Sequence, residues 1–168
     1  MKVAKLRNVK TPHRGTEKSA GIDFFVPEFD GKFIEDFHEK NGHLFQHEEM
    51  ETYKHFSLLP GERVLIPSGV KVNFEGEPKG LMGVNKSGIA SKLGLTLMAK
   101  LIDQDFQGEL LINLLNTSDT PVFIKENMKI AQFVLIPVYC DDIEEVDINE
   151  LYKSKNQRGE GGFGSTGE

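Results

Sequence analysis

Short apolar runs separated by turn residues set the rhythm of this chain. The stretch SLLPGERVLIPSGVKVNF, from residue 57, carries a Pro-Gly turn at 60–61, a second proline at 67 and a Ser-Gly turn at 68–69. The rhythm continues through GLMGV at 80–84, TLMAKLI at 96–102, ELLINLL at 109–115, PVFI at 121–124 and IAQFVLIPVY at 130–139. Runs this short, at this spacing, predict an antiparallel sandwich or barrel. Met1 to Val9 alternates loosely and then meets Thr11 and Pro12, which predicts a short first strand. Within LIDQDFQGELLINLLN, at 101–116, Gly108 breaks the apolar pattern and Asp103 and Asp105 stand near the start, so the stretch reads as a hairpin with carboxylates at its turn. Only Asp142 to Lys153 reads as a helical turn or two. The fold class is all-β, with one β domain over residues 1–157.

Two segments depart from this pattern. Residues 28–56 mix His38, His43, His47 and His55 with eight acidic residues and scattered phenylalanines. The histidine spacings fit no specific metal-ligand pattern, so the segment reads as an exposed acidic insertion, a kind of change that costs a fold little. The tail RGEGGFGSTGE, at 158–168, contains five glycines and one large apolar residue, Phe163. Such a tail cannot bury enough surface to fold alone. Its glycines let backbone N–H groups approach a polyanion, Arg158 adds a fork-shaped charge, Ser165 and Thr166 add hydroxyls, and Phe163 offers a face for stacking. A plain linker needs none of these, so the tail reads as a flexible arm that closes over a ligand.

Composition narrows the function. The chain has 168 residues, 38% hydrophobic and 27% charged, enough for one soluble domain with its own core. A formal net charge of −6 argues against broad nucleic-acid binding and leaves room only for a local basic pocket. Cys140 is the single cysteine, so no internal disulfide can form. The first ten residues contain no apolar run of membrane or signal length, so the expectation is a cytoplasmic protein in a reducing compartment.

Several residues could carry chemistry. In AGIDFFVP, Asp23 is a carboxylate inside an apolar run, either a turn or capping residue or a site residue. In NKSGIA, Lys86, Ser87 and Gly88 combine a cation, a hydroxyl and an approachable backbone, which suits a phosphate but also an ordinary surface turn. Gln132 either faces outward by alternation or reaches a ligand.

Taken in order, AGIDFF, NKSGIA, LIDQDFQGE, KIAQF and RGEGGFGSTG resemble the five motifs of the trimeric dUTPase family. The resemblance runs from Ala20 to the C-terminus, and its fifth motif is the most specific. It implies a jelly-roll subunit, a homotrimer whose sites draw on more than one chain, and hydrolysis of dUTP to dUMP and pyrophosphate with magnesium. The family's catalytic carboxylate falls on Asp103, which would activate the water attacking the α-phosphorus. Phosphate-binding positions fall on Lys86, Ser87, Gly88 and Gln132, and the uracil-reading backbone falls around Leu101, Ile102 and Leu111. Phe106 would pack on the deoxyribose and crowd out a 2′-hydroxyl. Asp23 would hold waters on the metal, and Arg158, Phe163, Gly164, Ser165 and Thr166 would form the closing arm.

The chain also departs from the family's pattern. Lys86 and Lys129 stand where arginines are usual, Phe106 stands where tyrosine is usual, and the insertion at 28–56 is longer than normal. A dCTP deaminase is the nearest alternative, but its deaminating glutamate corresponds here to Asn113, and an amide cannot shuttle the proton. A regulatory protein that binds a partner through the insertion is an alternative of another class, one that could coexist with catalysis.

Overall fold

The computed structural model describes residues 1–42, 50, 52–154 and 159–161. Its strands are β1 (Lys2–Lys5), β2 (His13–Arg14), β3 (Ile22–Phe25), β4 (His55–Leu58), β5 (Arg63–Pro67), β6 (Val70–Asn73), β7 (Lys79–Val84), β8 (Leu95–Leu97), β9 (Leu101–Ile102), β10 (Leu111–Asn116), β11 (Val122–Lys125) and β12 (Lys129–Pro137). The largest sheet runs β2-β3-β12-β7-β9, a second runs β5-β10-β8, and β1-β6 and β11-β4 form two-stranded sheets. Every pairing is antiparallel. The all-β, jelly-roll expectation holds.

Alternation explains how these strands build a core. In β10, Ile112, Leu114 and Asn116 are buried while Leu111, Asn113 and Leu115 are half-buried on the other face. The strand β4 alternates likewise, burying Phe56 and Leu58. These side chains meet Val64 and Ile66 of β5, Phe24 of β3 and Phe133 of β12 in one hydrophobic core. The rings of Phe24 and Phe133 lie 4.8 Å apart.

The insertion is not an exposed loop. Helix α1 (Gly31–Asn41) occupies much of its first half and buries Phe33, Ile34 and Phe37. Those three residues fall on one helical face at spacings of one, three and four, a pattern the surrounding acids and histidines obscure. Asp30 caps the helix by accepting a 2.7 Å bond from the Phe33 N–H, and Gly42 ends it at φ 63°, where glycine carries no steric cost. Ring contacts carry the helix into the core: Phe29 stacks on Phe33 at 4.9 Å, and Phe37 meets Phe56 at a tilt at 4.8 Å. Met50 is also fully buried. The amide of Asn41 accepts from the Leu65 N–H at 2.8 Å and donates to the Leu65 carbonyl at 2.9 Å, so it completes the hydrogen bonding of β5 as a neighbouring strand would. On its other side, Asp36 accepts from Arg7 at 2.8 Å, and Arg7 also reaches Glu109 at 2.9 Å. Among the described residues, no cluster of three or more His, Cys, Asp or Glu side chains could hold a metal ion.

Three other expectations change. Leu101–Ile102 and Leu111–Asn116 do not pair as a hairpin, because β9 bonds to β7 in the large sheet while β10 bonds to β5 and β8. Residues 142–153 form no helix and carry only a turn closed by the Glu150 N–H on the Asp147 carbonyl at 2.9 Å. A second helix, α2 (Ser87–Leu93), lies instead within NKSGIA and continues beyond it. No described helix is long and apolar enough to cross a membrane.

Candidate functional site

The large sheet carries chemistry at both ends. Toward one end, Asp23 of β3 stands opposite Gln132 of β12, which in turn stands opposite Val84 at the end of β7. Two residues later comes Lys86, the N-cap of α2. Lys86 Nζ lies 3.1 Å from Asp23 Oδ1, and Lys129 Nζ lies 2.8 Å from Oδ2. The Asp23 side chain is only 4% exposed, and the lysines are 28% and 36% exposed. Burial by itself raises the Asp23 pKa, but the hydrogen bonds and charges of Lys129 and Lys86 outweigh it and hold the carboxyl below its ordinary value. Asp23 is therefore an anion that gathers two ammonium groups at one place.

Gln132 reaches the same place because Gly21 leaves room for it. A Cβ on Gly21 would stand 1.9 Å from Gln132 Nε2, so the amide lies directly over that backbone. The approach to β3 is fixed by Arg14, whose guanidinium donates to the carbonyls of Ser19 and Ala20. Ser87 and Gly88 are exposed in the first turn of α2. Asn85 holds the start of that turn in place, since its side-chain oxygen accepts the Leu97 N–H at 2.9 Å. Structure thus brings Asp23, Lys86, Ser87, Gly88 and Gln132 to one end of the sheet. It adds Lys129, which the sequence marked only as a departure; its position three residues before Gln132 was the available signal.

Asp103 lies toward the other end. It follows β9, whose Ile102 stands opposite Leu81 near the start of β7. Asp103 and Asp105 are exposed and line a hollow of about 560 Å³ together with Lys79, Leu101, Val138 and Cys140. Phe106 packs its ring against Gly108, where a Cβ would come within 2.4 Å of the ring, and it stays 44% exposed. Leu101 is exposed, whereas Ile102 and Leu111 are half-buried on strands of different sheets. From Lys79 to Val84, β7 spans five residue steps, or roughly 16 Å at the usual rise of an extended strand. Within one chain, then, the Asp103 loop and the lysine-aspartate cluster stand well apart. The arm residues Arg158, Phe163, Gly164, Ser165 and Thr166 lie outside the described residues.

Comparison with known proteins gives this geometry its context. Residues 50–167 match the dUTPase family model. The deoxyuridine 5'-triphosphate nucleotidohydrolase of Hydrogenovibrio crunogenus is 30% identical over 163 residues, covering 96% of this chain and 89% of that protein. Among solved structures, the Staphylococcus bacteriophage 80alpha dUTPase with dUPNHPP aligns at a TM-score of 0.71 and 24% identity, over 99% of this chain and 98% of that one. A mutant dUTPase from phage phi11 of S. aureus, described with a structural Mg(II) ion, aligns at a TM-score of 0.67 and 21% identity, over 91% of this chain and 98% of that one. With a family match over most of its length and a relative aligned almost end to end, the chain belongs to the dUTPase family.

Proposed function

We propose that this protein hydrolyses dUTP to dUMP and pyrophosphate, in sites shared between the subunits of a homotrimer. The observation that carries this reading is the separation, along one sheet, of an exposed carboxylate from a cluster of two lysines and an amide. A general base must sit within hydrogen-bond reach of the proton it removes, directly or through one water. One chain therefore does not bring Asp103 to a phosphate held by its own Lys86, and a neighbouring copy supplies the missing half. Exposed apolar side chains after β12 support such an assembly: Tyr139, Ile143, Ile148 and Tyr152 find little cover on their own chain.

In the reaction, Asp103 takes a proton from water as the water oxygen bonds to the α-phosphorus. The bond from that phosphorus to the bridging oxygen breaks, and pyrophosphate leaves with the electron pair. Base catalysis of this kind contributes roughly 10² to 10⁴ in rate, and the remainder comes from positioning and charge stabilisation. Lys86 and Lys129 turn from Asp23 toward the phosphates, while Gln132, Ser87 and Gly88 offer hydrogen bonds alongside them. Phe106, exposed over Gly108, packs on the deoxyribose and crowds a 2′-hydroxyl. Backbone groups of the loops around Leu101, Ile102 and Leu111 read uracil, and the arm from Arg158 through Phe163, Gly164, Ser165 and Thr166 closes the site.

Magnesium fits this arrangement only as a partner of the nucleotide. The described residues offer one carboxylate among the phosphate-facing groups, Asp23, and both of its oxygens are paired with lysines. Asp23 would hold the ion through water once those lysines turn away, consistent with magnesium's tendency to keep its waters and bind phosphates. When bound, the ion supplies neutralisation of phosphate charge. A deaminase would need a proton-shuttling acid in place of Asn113, whose side-chain oxygen is buried without a hydrogen-bond partner among the described residues.

The direct test is pyrophosphate release from dUTP, dTTP, dCTP and UTP, with and without magnesium, for the native chain and for Asp103→Asn. The expected result is magnesium-dependent turnover of dUTP in strong preference to the others, and loss of turnover in the variant with nucleotide binding retained. Near-native turnover by Asp103→Asn would remove Asp103 from the base role. Equal efficiency on UTP and dUTP would show that Phe106 does not discriminate at the sugar.

A further inference from the structure

The residue beside the proposed base makes contacts that its exposed surroundings do not require. Gln104 is half-buried, and its side-chain amide engages three backbone groups between Phe74 and Lys79. Nε2 donates to the Phe74 carbonyl at 2.9 Å and to the Gly76 carbonyl at 3.3 Å, and Oε1 accepts the Lys79 N–H at 3.3 Å. Phe74 and Gly76 belong to the connection between β6 and β7, and Lys79 is the first residue of β7. A single side chain thus ties the loop after β9 to the start of the strand on which β9 pairs.

That tie matters because the other restraints near Asp103 are slight. β9 is two residues long and pairs only with Leu81 and Met82 of β7. No hydrogen bond or ion pair holds the Asp103 carboxylate among the described residues, although its carbonyl accepts the Phe106 N–H at 3.2 Å. The far end of the loop is fixed separately, where Glu109 accepts the Gly69 N–H at 2.6 Å and pairs with Arg7. Between those anchors the direction of the Asp103 side chain follows from its backbone. On the Asp103 side, the backbone after β9 is held by Gln104.

We propose that Gln104 is a positioning residue for the hydrolytic reaction, acting by locking the Asp103 backbone against the β6–β7 turn. This rests on the reading of Asp103 as the general base. Gln104 borders the hollow, but its amide is engaged by the backbone of Phe74, Gly76 and Lys79, so the lock acts on the reacting geometry rather than on nucleotide affinity. A displacement of about 1 Å at a reacting group can cost on the order of 10²-fold in rate, so a released loop should appear in kcat.

The test uses the full-length protein with Gln104→Met, which keeps the length of the side chain and removes all three hydrogen bonds. Gln104→Glu serves as the second variant: it keeps the acceptor for the Lys79 N–H but sets a carboxylate against the Phe74 and Gly76 carbonyls. Steady-state turnover of dUTP, binding of the non-hydrolysable analogue dUPNHPP and thermal unfolding are measured for each. The expected outcome is a fall in kcat of about tenfold or more in both variants, with KM and analogue affinity changed less than about threefold. Unchanged kcat in a folded variant, or a raised KM with unchanged kcat, would overturn the proposal. If Gln104→Met does not fold, the Gln104→Glu result decides by the same criteria. Asp103→Asn is assayed alongside to separate the two readings. Activity in that variant sinks the base assignment, whereas its inactivity combined with a normal Gln104→Met enzyme sinks the positioning role alone.

Discussion

Asp23 shows how much of the site a single buried charge organises. Its carboxylate is almost fully enclosed, yet Lys129 and Lys86 keep it ionised. Because its folded-state pKa lies below the ordinary aspartate value of 3.8, the group contributes stability that is complete above that value and is lost as pH falls through the lower, folded one. Asp23→Asn should therefore destabilise the fold at neutral pH, on the order of 1 kcal/mol given that both lysines are partly exposed. The gap between native and variant should stay constant from neutral pH down to about 5 and narrow below 3.8, as urea titrations across that range would register. A gap that widened in acid would mean that the lysines do not stabilise the carboxylate. The contacts that hold Asp23 are ones that no local pattern encodes: its partners lie 63 and 106 positions away.

At the scale of elements, period-2 alternation made the strands legible, because burial on one face leaves a direct trace in residue type. What alternation does not carry is the identity of a strand's neighbour. The runs at 101–102 and 111–116 look like the arms of a hairpin, yet Gly108 marks a crossing from one sheet to the other. The helix α1 was hidden for a different reason: its apolar face is three residues wide, and acids and histidines fill the positions between. Its burial reverses the reading of residues 28–56 as an exposed insertion. Phe37 is fully buried against Phe33 and Phe56, so Phe37→Ala should cost about 3–5 kcal/mol and lower the urea midpoint sharply. A loss below 1 kcal/mol would mean that the helix is a dispensable attachment after all. The Arg7 bridge from Asp36 to Glu109 makes the same point from the polar side, since it fastens the helix to the far end of the Asp103 loop, just before β10.

For the whole molecule, the motifs were legible in order along the chain, whereas the length of β7 that separates two of them in space was not, because a hydrophobic pattern does not name a strand's neighbours. The distance between the Asp103 loop and the lysine-aspartate cluster supports such a division, and it can be tested with two inactive proteins. Removing residues 158–168 takes away the proposed closing arm while leaving every core residue among the described ones in place, so the truncated chain should fold and release almost no pyrophosphate. Asp103→Asn should be equally inactive for want of a base. Refolded together, the two chains form mixed trimers in which a truncated subunit provides Asp103 and a variant subunit provides the arm and, in the proposed assembly, a complete site. Those sites should recover turnover in proportion to their statistical share. If mass spectrometry confirms mixed trimers and the mixture remains inactive, each arm closes over the Asp103 of its own subunit, and the crossing of the arm between subunits is refuted.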